Sequence, residues 1–261
     1  MGENLGQHFL DDKNVLADII TAGELSSEDI VLEVGPGEGV LTQGLLKKAG
    51  RVITVEKDSA LARELQARFK KEIADGSLEV IQADIRDLDI ANNLKAKSYK
   101  LVANIPYYLT GQLFQQVLTA ENQPEVVVLL VQKEVAERVI AADGKESILS
   151  LSVKVFGAPE IIRTVDRKSF TPPPKVDSAI LKISDISRSF FKDIDESEFF
   201  ALIKRGFAHK RKTLANNLAT DPRFNKERVE TALENIDTKK NIRAEKLGLQ
   251  EWKSLYENLG S

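Results

Sequence analysis

The chain of 261 residues contains no cysteine. That excludes disulfides, thiolate nucleophiles and zinc sites built on cysteine. It has only two histidines, so a histidine-built metal centre is not expected, and no metal ligand is assigned. No apolar run approaches the ~20 residues that span a bilayer. The opening segment, MGENLGQHFLDDKN, lacks the basic stretch and apolar core of a signal peptide. The simplest reading is a cytoplasmic protein with no membrane association. Bulk positive charge is missing too. The net charge is −3, which argues against a protein that coats nucleic acid by charge alone. A local basic face is still open. Residues 185–261 carry 15 Lys and Arg against 13 Asp and Glu, whereas residues 1–184 carry 22 against 27.

What is present points to a folded α/β protein. With 42% apolar and 30% charged residues, the chain is too apolar for disorder. Its length suits one large domain, or a main domain and a small one. Strands are expected at 29–34, 51–56, 78–83, 99–105 and 125–132, with helices at 40–49, 59–74 and 111–120 between them. Such alternation implies a mostly parallel sheet with helices on both faces. Ligands of these sheets bind at the carboxyl ends of the strands, so the first four strand ends should share one rim. Residues 170–175, FTPPPK, read as a stiff extended segment, followed by a strand at 176–184. Beyond that the pattern is helical, at 197–218, 225–236 and 249–259. The expected division is a catalytic domain over 1–184 and a small all-helical domain over 185–261.

VLEVGPGEG sets Gly35, Gly37 and Gly39 between the first strand and a helix. Glycines let the backbone turn and approach a ligand closely, and the helix start offers free N–H groups. Glu56 ends the second strand, where an acid suits a pair of ribose hydroxyls. A dinucleotide fingerprint needs a small residue at position 40, and Val40 stands there. Glu33 also disfavours a pyrophosphate. The E-x-G-x-G-x-G form is the one used for S-adenosylmethionine. Asp84, after the third strand, can accept from an exocyclic amine such as the cofactor's adenine. Taken alone, it reads better as a helix cap or Asx turn.

Asn104 ends the fourth strand and opens Asn-Ile-Pro-Tyr. Adenine N6 is a poor nucleophile, because its lone pair is delocalised into the ring. The Asn104 amide oxygen and the Ile105 carbonyl can each accept one N6–H and aim that lone pair at a methyl group. This is positioning and electrostatic stabilisation. Pro106 holds the corner. Tyr107 offers a face to an extruded base. The competing reading makes Asn104 a cap for the 111–120 helix and the tyrosines core.

GQHFLDDKNV, EVGPGEGVLT, VEKD, QADIRD, NIPYYLT, FTPPPKVDSA, KRKTLANNL and RAEKL occur in the order and spacing of one family. In these the chain resembles the KsgA family, rRNA adenine N6-dimethyltransferases of the small ribosomal subunit. The resemblance implies a Rossmann-like class I methyltransferase sheet with a small C-terminal all-helical domain, and S-adenosyl-L-methionine as cofactor. It implies cofactor contacts at His8, Leu10, Gly35, Gly37, Glu56, Asp84 and Asn104. His8 stands where the family usually has Asn. It implies a catalytic group of Asn104, Ile105, Pro106 and Tyr107, with Phe170 stacking on the target base opposite Tyr107. Lys175 and the run Lys210, Arg211 and Lys212 are expected to reach RNA phosphates. Tyr108 departs from a frequent Asn; it is given no chemical role and is expected to pack beneath the loop. The implied partner is small-subunit rRNA in a pre-ribosomal 30S-type particle, bound by a monomer. Erm enzymes, which act on large-subunit rRNA, share the glycine loop but usually lack FTPPPKVDSA and KRKTLANNL. A ribosome-assembly factor with secondary catalysis and a nicotinamide dehydrogenase are the other readings.

Overall fold

A computed structural model describes residues 9–90, 94, 96 and 98–260. The chain divides into two compact units. One holds the described residues up to Ala136 together with Gly157–Ile186; the other holds Glu137–Phe156 and the residues from Ser187 onward.

The first unit carries all nine strands of the described residues. They are β1 (Phe9–Leu10), β2 (Ile30–Val34), β3 (Arg51–Glu56), β4 (Leu78–Gln82), β5 (Lys100–Asn104), β6 (Val127–Gln132), β7 (Ala158–Val165), β8 (Phe170–Thr171) and β9 (Ser178–Ser184). Seven of them form one sheet in the order β4-β3-β2-β5-β6-β9-β7. From β4 to β6 the pairs are parallel; β9 and β7 then add antiparallel. β6 reads Val-Val-Leu-Leu-Val and is buried almost throughout, as expected for a strand covered on both faces. The core gathers Val31, Val52, Val102 and Val128 of the sheet with Ile19, Leu45 and Leu65 of the helices.

The strand order reverses between β2 and β5. The chain runs outward through β3 and β4, then returns to the other side of β2. A crevice opens at such a reversal, outside the carboxyl ends of the two strands. The glycine turn follows β2 and Asn-Ile-Pro-Tyr follows β5, so the topology brings both to that crevice.

A separate two-stranded sheet pairs Phe9 with Thr171 and Leu10 with Phe170. It is pinned by Asp12, which caps the helix Lys13–Ala22 and also accepts from Ser169 Oγ at 3.1 Å. The Thr171–Pro172 bond is cis.

The helical unit differs from the expected division: it includes 137–156, and its C-terminal part begins at Ser187 rather than at 185. Phe156 explains this. Its ring lies 5.4 Å from that of Phe191, and its carbonyl accepts from Ser187 N at 2.8 Å. Glu146 N also bonds the Glu245 carbonyl at 2.8 Å. The helix expected over 197–218 is two helices, Glu196–Gly206 and Leu214–Leu218. Asn217 breaks it. Its Nδ2 donates to the carbonyls of Gly206 at 2.6 Å and His209 at 3.1 Å, drawing the chain out of the helical path. Thr213 then caps the second helix.

Candidate active site

A cavity of about 360 Å³ lies at the rim of the first unit, and its walls come from the turns after β2, β3, β4 and β5 with Leu10 and Phe170. Gly35, Gly37 and Gly39 all have positive φ, a region that costs most other residues energy. Space matters most at Gly39. A Cβ there would stand 2.6 Å from Leu65 Cδ2 and 2.7 Å from Phe69 Cε2. Gly39, not position 40, is where this turn needs a residue without a side chain. Val40 instead opens the helix Val40–Leu45, partly exposed to the cavity.

Glu56 is buried and anchored by backbone donors. Gly37 N–H reaches its Oε2 at 3.2 Å and Asp58 N–H its Oε1 at 2.9 Å. Burial raises its pKa, and those two bonds oppose the rise. The carboxylate is thus held still with further lone pairs to offer. Glu33 lies deeper, 1% exposed. Its Oε2 accepts from Thr42 Oγ1 at 2.6 Å and its Oε1 has no partner. Burial pushes its carboxyl up to about 8, so at neutral pH it is largely protonated.

Asp84 is on the rim, but its carboxylate is engaged. Arg86 donates from Nε at 3.0 Å and from Nη2 at 2.6 Å, and Lys57 Nζ lies 3.1 Å away. The Arg86 guanidinium holds the Asp84 carboxyl well below the usual carboxylate range. Asp84 also accepts from Arg86 N and so caps the turn Ile85–Asp87. An incoming amine must use the remaining lone pairs or displace an ion-pair partner. Lys57 and Arg86 were not legible as parts of the site, because nothing in their spacing shows that they share one carboxylate.

Asn104 is half-buried at the end of β5 and has no side-chain hydrogen-bond partner among the described residues. It caps nothing: the helix Thr110–Leu118 begins at Leu109 without a side-chain cap. Pro106, at φ −55° and ψ 131°, turns the chain into the short helix Tyr107–Leu109. Thr110 Oγ1 closes that turn on the Tyr107 carbonyl at 3.1 Å. Tyr107 is half-buried, and its hydroxyl bonds Ser178 Oγ at 2.8 Å. Ser178 belongs to the VDSA stretch 71 residues away. The pairing joins two motifs, and only the β6–β9 register reveals it.

One expectation is corrected. Tyr108 does not pack beneath the loop. It is 59% exposed, the most exposed large apolar side chain among the described residues. Phe170 borders the cavity but is 2% exposed and sits in the core cluster. Leu10 is buried beside it, and His8 lies outside the described residues. Lys175, Lys210, Arg211 and Lys212 are exposed, and none has an ion-pair partner among the described residues. Lys175 follows the proline run in the first unit. The other three occupy the loop between the two helices that Asn217 separates in the second.

The cavity's donors fit S-adenosylmethionine. Glu38, Glu56, Asp58 and Asp84 are the charged carboxylates that line it beside Lys57, the one Lys or Arg among its described lining residues. That sign opposes a pyrophosphate and suits a ligand carrying a sulfonium and an ammonium. Glu56 would hold the ribose hydroxyls, the glycine turn gives room for the chain, and Ile85 gives an apolar wall for the adenine.

A family model described as ribosomal RNA adenine dimethylase matches residues 2–259. The chain is 42% identical over 254 residues to the ribosomal RNA small subunit methyltransferase A of Dehalococcoides mccartyi, covering 97% of this chain and 86% of that one. Among solved structures it resembles a dimethyladenosine transferase from Plasmodium falciparum, with TM-score 0.80, 31% identity and coverage of 97% and 98%. It resembles the 23S rRNA methyltransferase ErmE with the same TM-score at 27% identity, covering 97% and 100%. With the family model spanning nearly the whole chain, and a rim whose donors suit a sulfonium cofactor, this chain belongs to the ribosomal RNA adenine dimethylases, which use S-adenosylmethionine.

Proposed function

We propose that the protein dimethylates N6 of two adjacent adenines near the 3′ end of small-subunit rRNA, in an assembling 30S-type particle in the cytoplasm. The observation that carries this reading is the unpartnered Asn104 amide at the β2–β5 crevice. Identity supports the small subunit over the large one: 42% to the small-subunit relative against 27% to ErmE, at equal likeness of fold to ErmE and to the dimethyladenosine transferase.

When bound, S-adenosylmethionine supplies a methyl group activated by the positive sulfur. The chain's own residues handle the amine. Asn104 Oδ1 accepts one N6–H and the Ile105 carbonyl the other, so the nitrogen turns pyramidal and its lone pair is freed. Both acceptors sit on a corner that Pro106 and the turn after it hold fixed, so little reorganisation remains to be done. Tyr107, tethered to Ser178, receives the face of the extruded base. No strong base is required before attack, because the amine becomes acidic once alkylated and its proton then leaves to water. Lys175, Lys210, Arg211 and Lys212 contribute to phosphate binding on a monomeric protein whose net charge is negative.

The direct test is mass-spectrometric mapping of rRNA after small subunits lacking these methyl groups are incubated with the purified protein and cofactor. The expected product is dimethyladenosine at two neighbouring positions of small-subunit rRNA. Modification of large-subunit rRNA alone would overturn the substrate assignment.

A further inference from the structure

Tyr108 is unexplained by the site as described. The turn that carries it has a period near three, so its side chain diverges from those of Tyr107 and Leu109 on either side. Tyr107 turns inward to Ser178, and Leu109 is buried. Tyr108 is left 59% exposed while still lining the cavity. Its hydroxyl has no partner among the described residues. A large ring held on a short turn at the mouth of a pocket is a surface for a flat ligand.

We propose that Tyr108 is the stacking platform for the RNA base next to the one being methylated. This rests on the functional reading above. An adenine that leaves its stack to reach Asn104 strips one face from its neighbour, and that lost stacking must be replaced. Tyr107 and Phe170 cannot replace it. Tyr107 is tethered inward and Phe170 is 2% exposed. Tyr108 is the ring of this rim that stays open to solvent, one residue along the chain from the ring that faces the target. With two adjacent adenines as substrate, the neighbour is itself a purine with a wide face. The platform therefore holds the second adenine while the first is modified.

The test uses a single-stranded oligoribonucleotide with 2-aminopurine beside an adenine, titrated into the wild type, Tyr108→Ala and Tyr108→Phe. Stacking on the ring quenches 2-aminopurine. Tyr108→Ala is expected to weaken binding about tenfold, the scale of one base–aromatic stack, and to lose most of the quench. Tyr108→Phe is expected to restore both. Equal binding and quenching by Tyr108→Ala would overturn the proposal. So would a matching loss of S-adenosylhomocysteine affinity, measured by calorimetry, since the ring would then serve the cofactor. Failure of the functional reading looks different: the wild type would bind and quench but leave rRNA unmethylated.

Discussion

The cavity rim of the first unit and the basic loop of the second are held in place by different means. On the rim, functional side chains sit at ends of neighbouring parallel strands, and Glu56 is locked by backbone N–H groups. In the loop, Lys210, Arg211 and Lys212 are exposed, and one buried amide, Asn217, holds the carbonyls before them. On the proposed function, the rim serves position and the loop reach. A rate depends on where an amine lies to fractions of an ångström, whereas a phosphate contact tolerates a mobile lysine.

Asn104→Ala gives the widest separation between the two regions. Loss of one positioned acceptor is expected to lower the methylation rate about 10²- to 10³-fold. Thermal stability should hardly change, because the amide has no partner among the described residues. Comparable rates in a single-turnover assay would remove Asn104 from the chemistry. Next comes Gly39→Ala. With φ at +78° and a Cβ 2.6 Å from Leu65 Cδ2, it should cost about 1–3 kcal/mol and weaken cofactor binding. A melt and a calorimetric titration that match the wild type would show that the turn adapts.

A pH series probes the buried floor of the rim. The Glu33 carboxyl sits at about 8 when folded, against 4.5 ordinarily. Between those values the folded state keeps a proton that the unfolded state has lost, so stability falls as pH rises through that window. Glu33→Gln cannot titrate. Its melting temperature relative to wild type should therefore rise from pH 5 to pH 8, at about 2–4 °C per kcal/mol. A constant difference would mean that Glu33 is ionised in the folded protein. The smallest effect is expected in the loop. Asn217→Leu should release the Gly206 and His209 carbonyls and weaken RNA binding about three- to tenfold, with a shallower salt dependence. S-adenosylhomocysteine affinity should stay at the wild-type value. If cofactor binding falls as well, the two regions are not independent.

The rim was largely legible because it obeys a local rule. A β-branched run that stops at Gly35, Glu56, Asp84 or Asn104 marks a strand end, and parallel strands bring such ends to one side. The strand β7, its antiparallel pairing with β9, and the helices over 133–140 and 148–154 were not read. Nor was the break after Gly206, although Gly206 and Thr213 are breaker and cap. The helical period of the surrounding leucines and phenylalanines outweighs them. What decides there is Asn217, a buried side chain bonding backbone eight to eleven residues back.

From the sequence alone come the methyltransferase sheet, the four strand-end positions and the corner at Pro106, because each follows from neighbours in the chain. Only the tertiary structure shows that Tyr107 hangs on Ser178, that Arg86 and Lys57 hold Asp84, and that Phe170 is packed away while Tyr108 stands open. Those depend on pairings and burial between distant segments or on the direction a turn gives each side chain, and residue order carries no local signal for them.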